Sequence, residues 1–156
     1  MTNEQRAKIV YDKVKAHLNN NNFKYDADDS EMTIVLRATG EDLPLLVHAK
    51  VHADRQLIRI LSPIPVKMPE DKRIEGAVAS AVANYGIVAG NFDYDMRDGE
   101  IRFRVTQSFR ECDVSDEVIH YMFGILFNTV DQYNDRFFML AKGMMTLEKF
   151  IEMENA

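Results

Sequence analysis

Apolar positions along this chain recur with two different periods, and the order of those periods predicts an α+β fold. Ala7, Val10, Val14 and Leu18 follow one another at helical spacing, with Lys8, Asp12 and Lys15 elsewhere on the wheel. Thr2 and Gln5 have the spacing of a capping box, and the asparagine run 19–22 stops this first helix. A short strand fits Phe23 to Ala27. The period then shortens to two. Glu31 to Arg37 sets Met32, Ile34 and Leu36 against Thr33, Val35 and Arg37. Leu43 to His52 sets Leu43, Leu45, Val47, Ala49 and Val51 against Pro44, Leu46, His48, Lys50 and His52. A turn over Thr39-Gly40-Glu41-Asp42 joins these two strands. A second turn, Ala53 to Gln56, leads into Leu57 to Ser62 and pairs Val51 with Ile58 and Ala49 with Ile60. Pro63 and Pro65 are expected to mark the exit from the sheet.

Helical spacing returns after Pro69, which suits a first helical turn, and Glu70 and Asp71 favour its positive end. Ile74, Ala77, Val78, Ala81, Val82 and Tyr85 form the apolar stripe expected to face the core, and Gly86 provides the stop. A hairpin follows. Counted outward from an Asp98-Gly99 turn of type I′, it pairs Arg97 with Glu100, Met96 with Ile101 and Asp95 with Arg102. It then pairs Tyr94 with Phe103, Asp93 with Arg104 and Phe92 with Val105. One face is apolar and the other matches acid with base, so a one-residue slip is excluded. Asp113 or Ser115 can cap a third helix whose buried face runs through Val118, Met122, Ile125, Leu126, Thr129, Val130 and Tyr133. The pattern blurs at Asn134-Asp135, and a separate helical piece is expected over Arg136 to Lys142. Residues 143–156 then form an amphipathic tail helix, with Met144, Leu147 and Ile151 on one side, packing on the domain or on a partner. The order is α-β(3-4)-α-β-β-α: a two-layer antiparallel sheet with helices on one face, and a single domain over residues 1–142.

Composition narrows the function classes. The 156 residues are 46% hydrophobic and 28% charged, as in a globular chain long enough to bury a core. A net charge of −6 argues against a general nucleic-acid binder. One cysteine, Cys112, excludes an internal disulfide and fits a reducing compartment. The N-terminal residues lack the apolar core of a signal peptide, and no apolar run approaches membrane-spanning length, so a cytoplasmic protein without membrane partners is the expectation.

The stretch from Val66 to Phe109 carries a resemblance. Pro69, Lys72 and Arg73 open its helix, Asn84 and Gly86 close it, Gly90-Asn91-Phe92 begins the next strand, and Asp98-Gly99-Glu100 makes the turn. Asp131-Gln132-Tyr133 follows late in the third helix. In this order and spacing the chain resembles the YbjN family, the bacterial sensory transduction regulators. The resemblance spans the first helix to about residue 140. It implies a fold similar to type III secretion chaperones, which are small acidic proteins, often dimeric, that bind extended segments of partner proteins. It brings no catalytic residues with it.

Chemistry-bearing groups are sparse. Asp93, Asp95, Asp98 and Glu100 have the spacing D-x-D-x-x-D-G, which fails the calcium-loop pattern, and arginines face them in the hairpin. His48 and His52 lie on one strand face about 13 Å apart, too far to share a metal, and His17 and His120 have no evident ligand partner, so neither metal nor cofactor is expected. Cys112 lies between Glu111 and Asp113, which disfavour a thiolate. No nucleophile elbow or phosphate loop appears, and no enzymatic activity is expected. Two surfaces stand out instead. Arg37, Leu46, His48, Lys50, His52, Leu57 and Arg59 share the sheet face away from the core, with Lys50 directly opposite Arg59, an unfavourable pairing unless an acidic partner answers it. The helix from Glu70 to Tyr85 is rich in small residues that suit close packing, on its own sheet or on a second copy in a homodimer. The leading expectation is a non-enzymatic module that binds a segment of a partner protein. The alternative is a small-ligand sensor or enzyme with a pocket between the sheet and the third helix, served by Tyr85, Tyr94, Tyr121, Arg102 and Arg104.

Overall fold

The computed structural model describes residues 1–39 and 44–155. The strand start at Leu43 and the turn residues 40–42 lie outside them. Helix α1 (Asn3–Asn20) opens on the expected capping box: Thr2 Oγ1 accepts from Gln5 N, and Gln5 Oε1 accepts from Thr2 N. Strands β1 (Tyr25–Asp28), β2 (Thr33–Thr39), β3 (Pro44–His52) and β4 (Leu57–Lys67) follow as an antiparallel meander. A single 3-10 turn (Glu70–Lys72) leads into α2 (Arg73–Tyr85). Then come β5 (Asn91–Tyr94), β6 (Glu100–Ser108), α3 (Asp116–Ala141) and α4 (Leu147–Asn155). The six strands lie in the order β1-β2-β3-β4-β6-β5, every neighbouring pair antiparallel. One sheet face carries Ile34, Leu36, Val47, Val51, Ile58, Ile60, Phe92, Ile101 and Phe103, all buried against the helical layer. This is the two-layer α+β architecture the alternation predicts.

The β3–β4 register matches expectation: Val51 opposes Ile58, Ala49 opposes Ile60, and Lys50 opposes Arg59. Other expectations are corrected. First, β4 does not end at Pro63. It continues to Lys67, with Pro63 opposite Arg102 and a register shift between Pro63 and Lys67. A bulge is where a ladder tolerates a residue with no N–H, which is how Pro65 is accommodated.

Second, the hairpin closes two residues earlier than an Asp98-Gly99 turn requires. Asp95 N donates to Glu100 O (2.9 Å) and Gly99 N to Asp95 O (2.8 Å), so Met96 to Gly99 form the loop. Phe92 therefore opposes Phe103, Asp93 opposes Arg102 and Tyr94 opposes Ile101. A shift by an even number keeps every side chain on its expected face. Phe92, Phe103 and Val105 are buried together, and Tyr94 packs partly buried beside them. The loop is drawn down by Met68, whose N donates to Gly99 O (2.9 Å). Gly99, at φ +79°, lies so close to the Met68 backbone that a Cβ would collide with it.

Third, α2 turns its other face inward. Its buried residues are Gly76, Ala79, Ser80 and Ala83, while Ile74 is 68% exposed and Tyr85 97%. The reason is distance. A Cβ at Gly76 would stand 2.5 Å from Met68 Cγ and 2.6 Å from the Tyr94 hydroxyl, so only the small-residue face admits this approach. Helical periodicity marked the bulky stripe correctly but could not say which side the sheet takes.

Helix α3 is continuous where a break at Asn134-Asp135 was expected. Tyr133, Asn134, Phe137 and Leu140 are all buried, and the inward face runs straight through. Ser115 is its N-cap, accepting from Val118 N. Helix α4 seats Phe150 in the core against Phe137, with ring centroids 5.3 Å apart. Tyr133 Oη donates to Glu154 Oε2 (2.7 Å), and Arg136 also binds Glu154. The buried contact is Phe150; Met144 is exposed rather than part of an inward stripe.

Candidate functional site

The sheet face turned away from the helices is built by the residues that alternate with the core. On β3 these are Leu46, His48, Lys50 and His52; on β4, Leu57, Arg59 and Leu61; on β6, Arg102 and Arg104. Cross-strand register arranges them in rows. Thr33, Lys50, Arg59 and Thr106 lie side by side across four strands. Val35, His48, Leu61, Arg104 and Asn91 make the next row. His52 lies opposite Leu57, and Arg37 opposite Leu46. The structure thus places Arg37, Leu46, His48, Lys50, His52, Leu57 and Arg59 on one surface. Leu61 is buried although it faces away from the core layer, and the cationic side chains surround it in the sheet.

Arg102 and Arg104 belong to this surface, whereas sequence reasoning assigned them to the hairpin and to the alternative pocket. Their parity was readable. The neighbour of β6 was not, because nothing local says that β6 docks beside β4.

Charge on this face is unbalanced. Asp93 is shared: Arg102 Nε donates to its Oδ2 (3.0 Å), and Arg104 donates through Nε (2.9 Å) and Nη2 (3.0 Å). Burial alone would raise the Asp93 carboxyl, but the two guanidinium groups outweigh it and hold it below the usual carboxylate range. Among the described residues, Lys50 has only a long, exposed pair with Glu31 at 3.7 Å. Arg59 has no hydrogen-bond acceptor among the described residues, and its Nε is shut off from solvent. Burial, then the fields of Arg102, Arg104 and Arg55, push its guanidinium below its ordinary value. His52 is likewise held low by burial and then by Arg59 and Lys50. Beside Arg59 opens a pocket of 250 Å³ bordered by Thr33, His48, Lys50 and Leu61.

The acidic hairpin group disperses. Asp93 serves Arg102 and Arg104, Asp95 binds Arg97 (2.8 Å), and Asp98 binds Lys67 (2.8 Å). Arg97 and Arg102 therefore do not take the cross-strand partners expected of them. The alternative pocket set does not converge either. Tyr85 and Tyr121 are exposed, Tyr94 Oη donates to Arg73 O (2.7 Å), and both arginines point to the opposite face. A pocket of 380 Å³ does open between the sheet and α3, but Phe23, Ala38, Leu45, Phe127 and Asn128 line it instead. Cys112 is exposed, and no group of ligand-type residues among those described is arranged to hold a metal ion. No helix among the described residues is long and apolar enough to cross a membrane.

Several residues that carried the resemblance have structural work that explains their types. The Asn84 side chain binds the Phe92 backbone in both directions. Arg73 Nε donates to Met68 O (3.0 Å) and its Nη1 to Arg97 O (3.0 Å), holding the hairpin loop. Gly90 adopts φ +78° with Phe103 pressed against it. No family model matches the chain, and no curated protein matches it by sequence. Among solved structures, it is similar to the crystal structure of YbjN from E. coli, a proposed transcription regulator. That likeness has a TM-score of 0.60 at 10% identity and covers 78% of this chain and 86% of that one. The chain has a YbjN-like α+β fold.

Proposed function

We propose that this protein is a non-enzymatic interaction module of regulatory type that captures an acidic segment of a partner protein on the outer face of its sheet. The observation that carries this reading is the opposition of Lys50 and Arg59 in the centre of that face, with no hydrogen-bond or ion-pair partner for Arg59 among the described residues. A half-buried guanidinium beside like charges is destabilising on its own, and an external anion would relieve it. Leu57, one row from Arg59, and Leu46, two rows away on the other side, supply apolar surface that an extended segment would cover, while the cations speed and orient its approach. Strand addition is less favoured. Edge strand β1 carries Asp26 and Asp28, charges of the kind that guard an edge, and edge strand β5 is occupied by Asn84. The secretion-chaperone-like fold that the sequence resemblance implies would suit segment capture, and the similarity to a proposed regulator agrees with a regulatory role. We further propose a homodimer joined through the outward stripe of α2, and a cytoplasmic setting in which Cys112 stays reduced.

The test is affinity capture from native lysate with the wild-type chain and the Lys50→Glu/Arg59→Glu variant, both checked by circular dichroism. Acidic preys retained by the wild type and lost from the folded variant support the reading. An identical prey list from both proteins overturns it.

A further inference from the structure

We propose that the pocket beside Arg59 is a binding site for a phosphoryl group; the inference rests on the outer face being a binding surface and names the chemistry it recognises. Four residues that carry donors, Thr33, His48, Lys50 and Arg59, line the 250 Å³ space together with Ile34, Val35, Ala49 and Leu61. They come from three adjacent strands, and the register fixes Thr33 beside Lys50 and Lys50 beside Arg59. No carboxylate among the described residues lines the pocket. The acid most central to this face, Asp93, is already held by Arg102 and Arg104, and those two arginines add positive field behind Arg59. Glu31, itself largely exposed, stands 3.7 Å from the Lys50 ammonium.

The donor set favours a tetrahedral dianion over a planar carboxylate. A carboxylate is satisfied by a single guanidinium fork, whereas a phosphoryl group has three outward oxygens and close to two negative charges. It can therefore accept from a hydroxyl, a point-charge ammonium and a guanidinium together. Arg59 is anchored for this role. Its Nε is enclosed and its strand neighbours are β3 and β6, so the head group loses little freedom when an anion arrives.

Inorganic phosphate is the first probe. It is titrated into the full chain at constant ionic strength while the amides of Thr33, Lys50 and Arg59 and the Arg59 Nε–H are followed by NMR, with chloride and acetate as parallel arms. The expected result is a saturable shift confined to these positions with phosphate alone, weakened about tenfold in Arg59→Gln and in Lys50→Gln. A short phosphoserine peptide then separates the sources. Tighter binding than phosphate assigns the site to a modified partner side chain, and equal or weaker binding to a free phosphorylated small molecule. A shift that chloride or acetate reproduces, or one that both folded variants retain, overturns the proposal. Preys lost on charge reversal together with no phosphate response would leave segment capture standing and remove the phosphoryl pocket. The opposite pair of results would do the reverse.

Discussion

The side-chain amide of Asn84 stands in for a missing strand beside Phe92. Its Nδ2 donates to Phe92 O (3.0 Å) and its Oδ1 accepts from Phe92 N (2.7 Å). Phe92 lies on edge strand β5, so without Asn84 both of these backbone groups would lose their partners. The same side chain fastens the end of α2 to the sheet. Asn84→Ala is expected to cost about 1–3 kcal/mol, read from urea unfolding curves. Asn84→Asp should cost more at neutral pH, because it sets a carboxylate against the Phe92 carbonyl. A variant as stable as the parent would show that these two bonds are dispensable.

Two glycines should respond in opposite directions to alanine. Gly90 has φ +78°, and a Cβ there would stand 2.5 Å from the Phe103 ring and 2.9 Å from Arg104 O. Gly90→Ala is expected to destabilise by more than 1 kcal/mol, about the penalty for the left-handed region alone. Gly124 lies inside α3 with nothing within 4 Å of a built Cβ. Gly124→Ala is expected to stabilise by about 0.5–1 kcal/mol through helix propensity. Thermal melts of the two proteins decide it, and a shift of the same sign in both would refute this account of the packing.

What could be read from the chain, and what could not, divides along physical lines. Period-two alternation in Leu45 to Val51 and Ile58 to Ile60 fixed both faces and the β3–β4 register, because each short turn left one pairing that buries the apolar residues. The hairpin faces were equally legible, yet its loop was not. Asp98-Gly99 looked like a two-residue turn until Met68, thirty-one positions before Gly99, took the Gly99 carbonyl. The same distance effect misplaced α2. Its bulky stripe is more hydrophobic than the side that packs, and only the tertiary approach of Tyr94 and Met68 to Gly76 explains the choice. At the candidate site, Lys50 opposite Arg59 followed from local pairing, whereas Arg102 and Arg104 joined it through the non-local β4–β6 contact.

Stability should fall on mild acidification through His17. Its ring stacks on Phe123 (5.3 Å between centroids) and meets His120 edge-on (5.5 Å). Burial first, and the His120 charge second, hold its pKa below the ordinary 6.5, with Asp116 opposing weakly. A histidine depressed in the folded state binds its proton more readily when unfolded. The neutral ring's contribution is therefore complete above pH 6.5 and declines as pH falls through that value toward the folded pKa. Unfolding curves at about pH 7.5 and about pH 5.5 should show this loss, and His17→Phe should flatten it. An unchanged slope in His17→Phe would assign the acid response to other groups.

The outward stripe of α2 has the spacing of a helix–helix seam. Ile74, Val78, Ala81 and Tyr85 recur at intervals of four, three and four, the a/d rhythm that knobs-into-holes packing requires. Val88 extends it beyond the helix end, and Tyr85 borders a 450 Å³ groove between α2 and α4. A two-fold axis between Val78 and Ala81 would set Ile74 of one copy opposite Tyr85 of the other, with Ala81 allowing close approach at the centre. The largest apolar patch on a monomer is about 300–600 Å². Doubled across such an axis, it only approaches the roughly 1,200 Å² at which stable interfaces begin. The expected dimer is therefore weak, with dissociation in the micromolar range, on the order of 1–100 μM. Light scattering across a dilution series should show mass falling from dimer to monomer, and Val78→Glu should hold the chain monomeric with an unchanged circular dichroism spectrum. Val78 is 37% exposed, so the added charge can reach solvent in the monomer and meets its cost only at the seam. A wild-type chain that stays monomeric above about 100 μM would leave the stripe without a second copy to cover it.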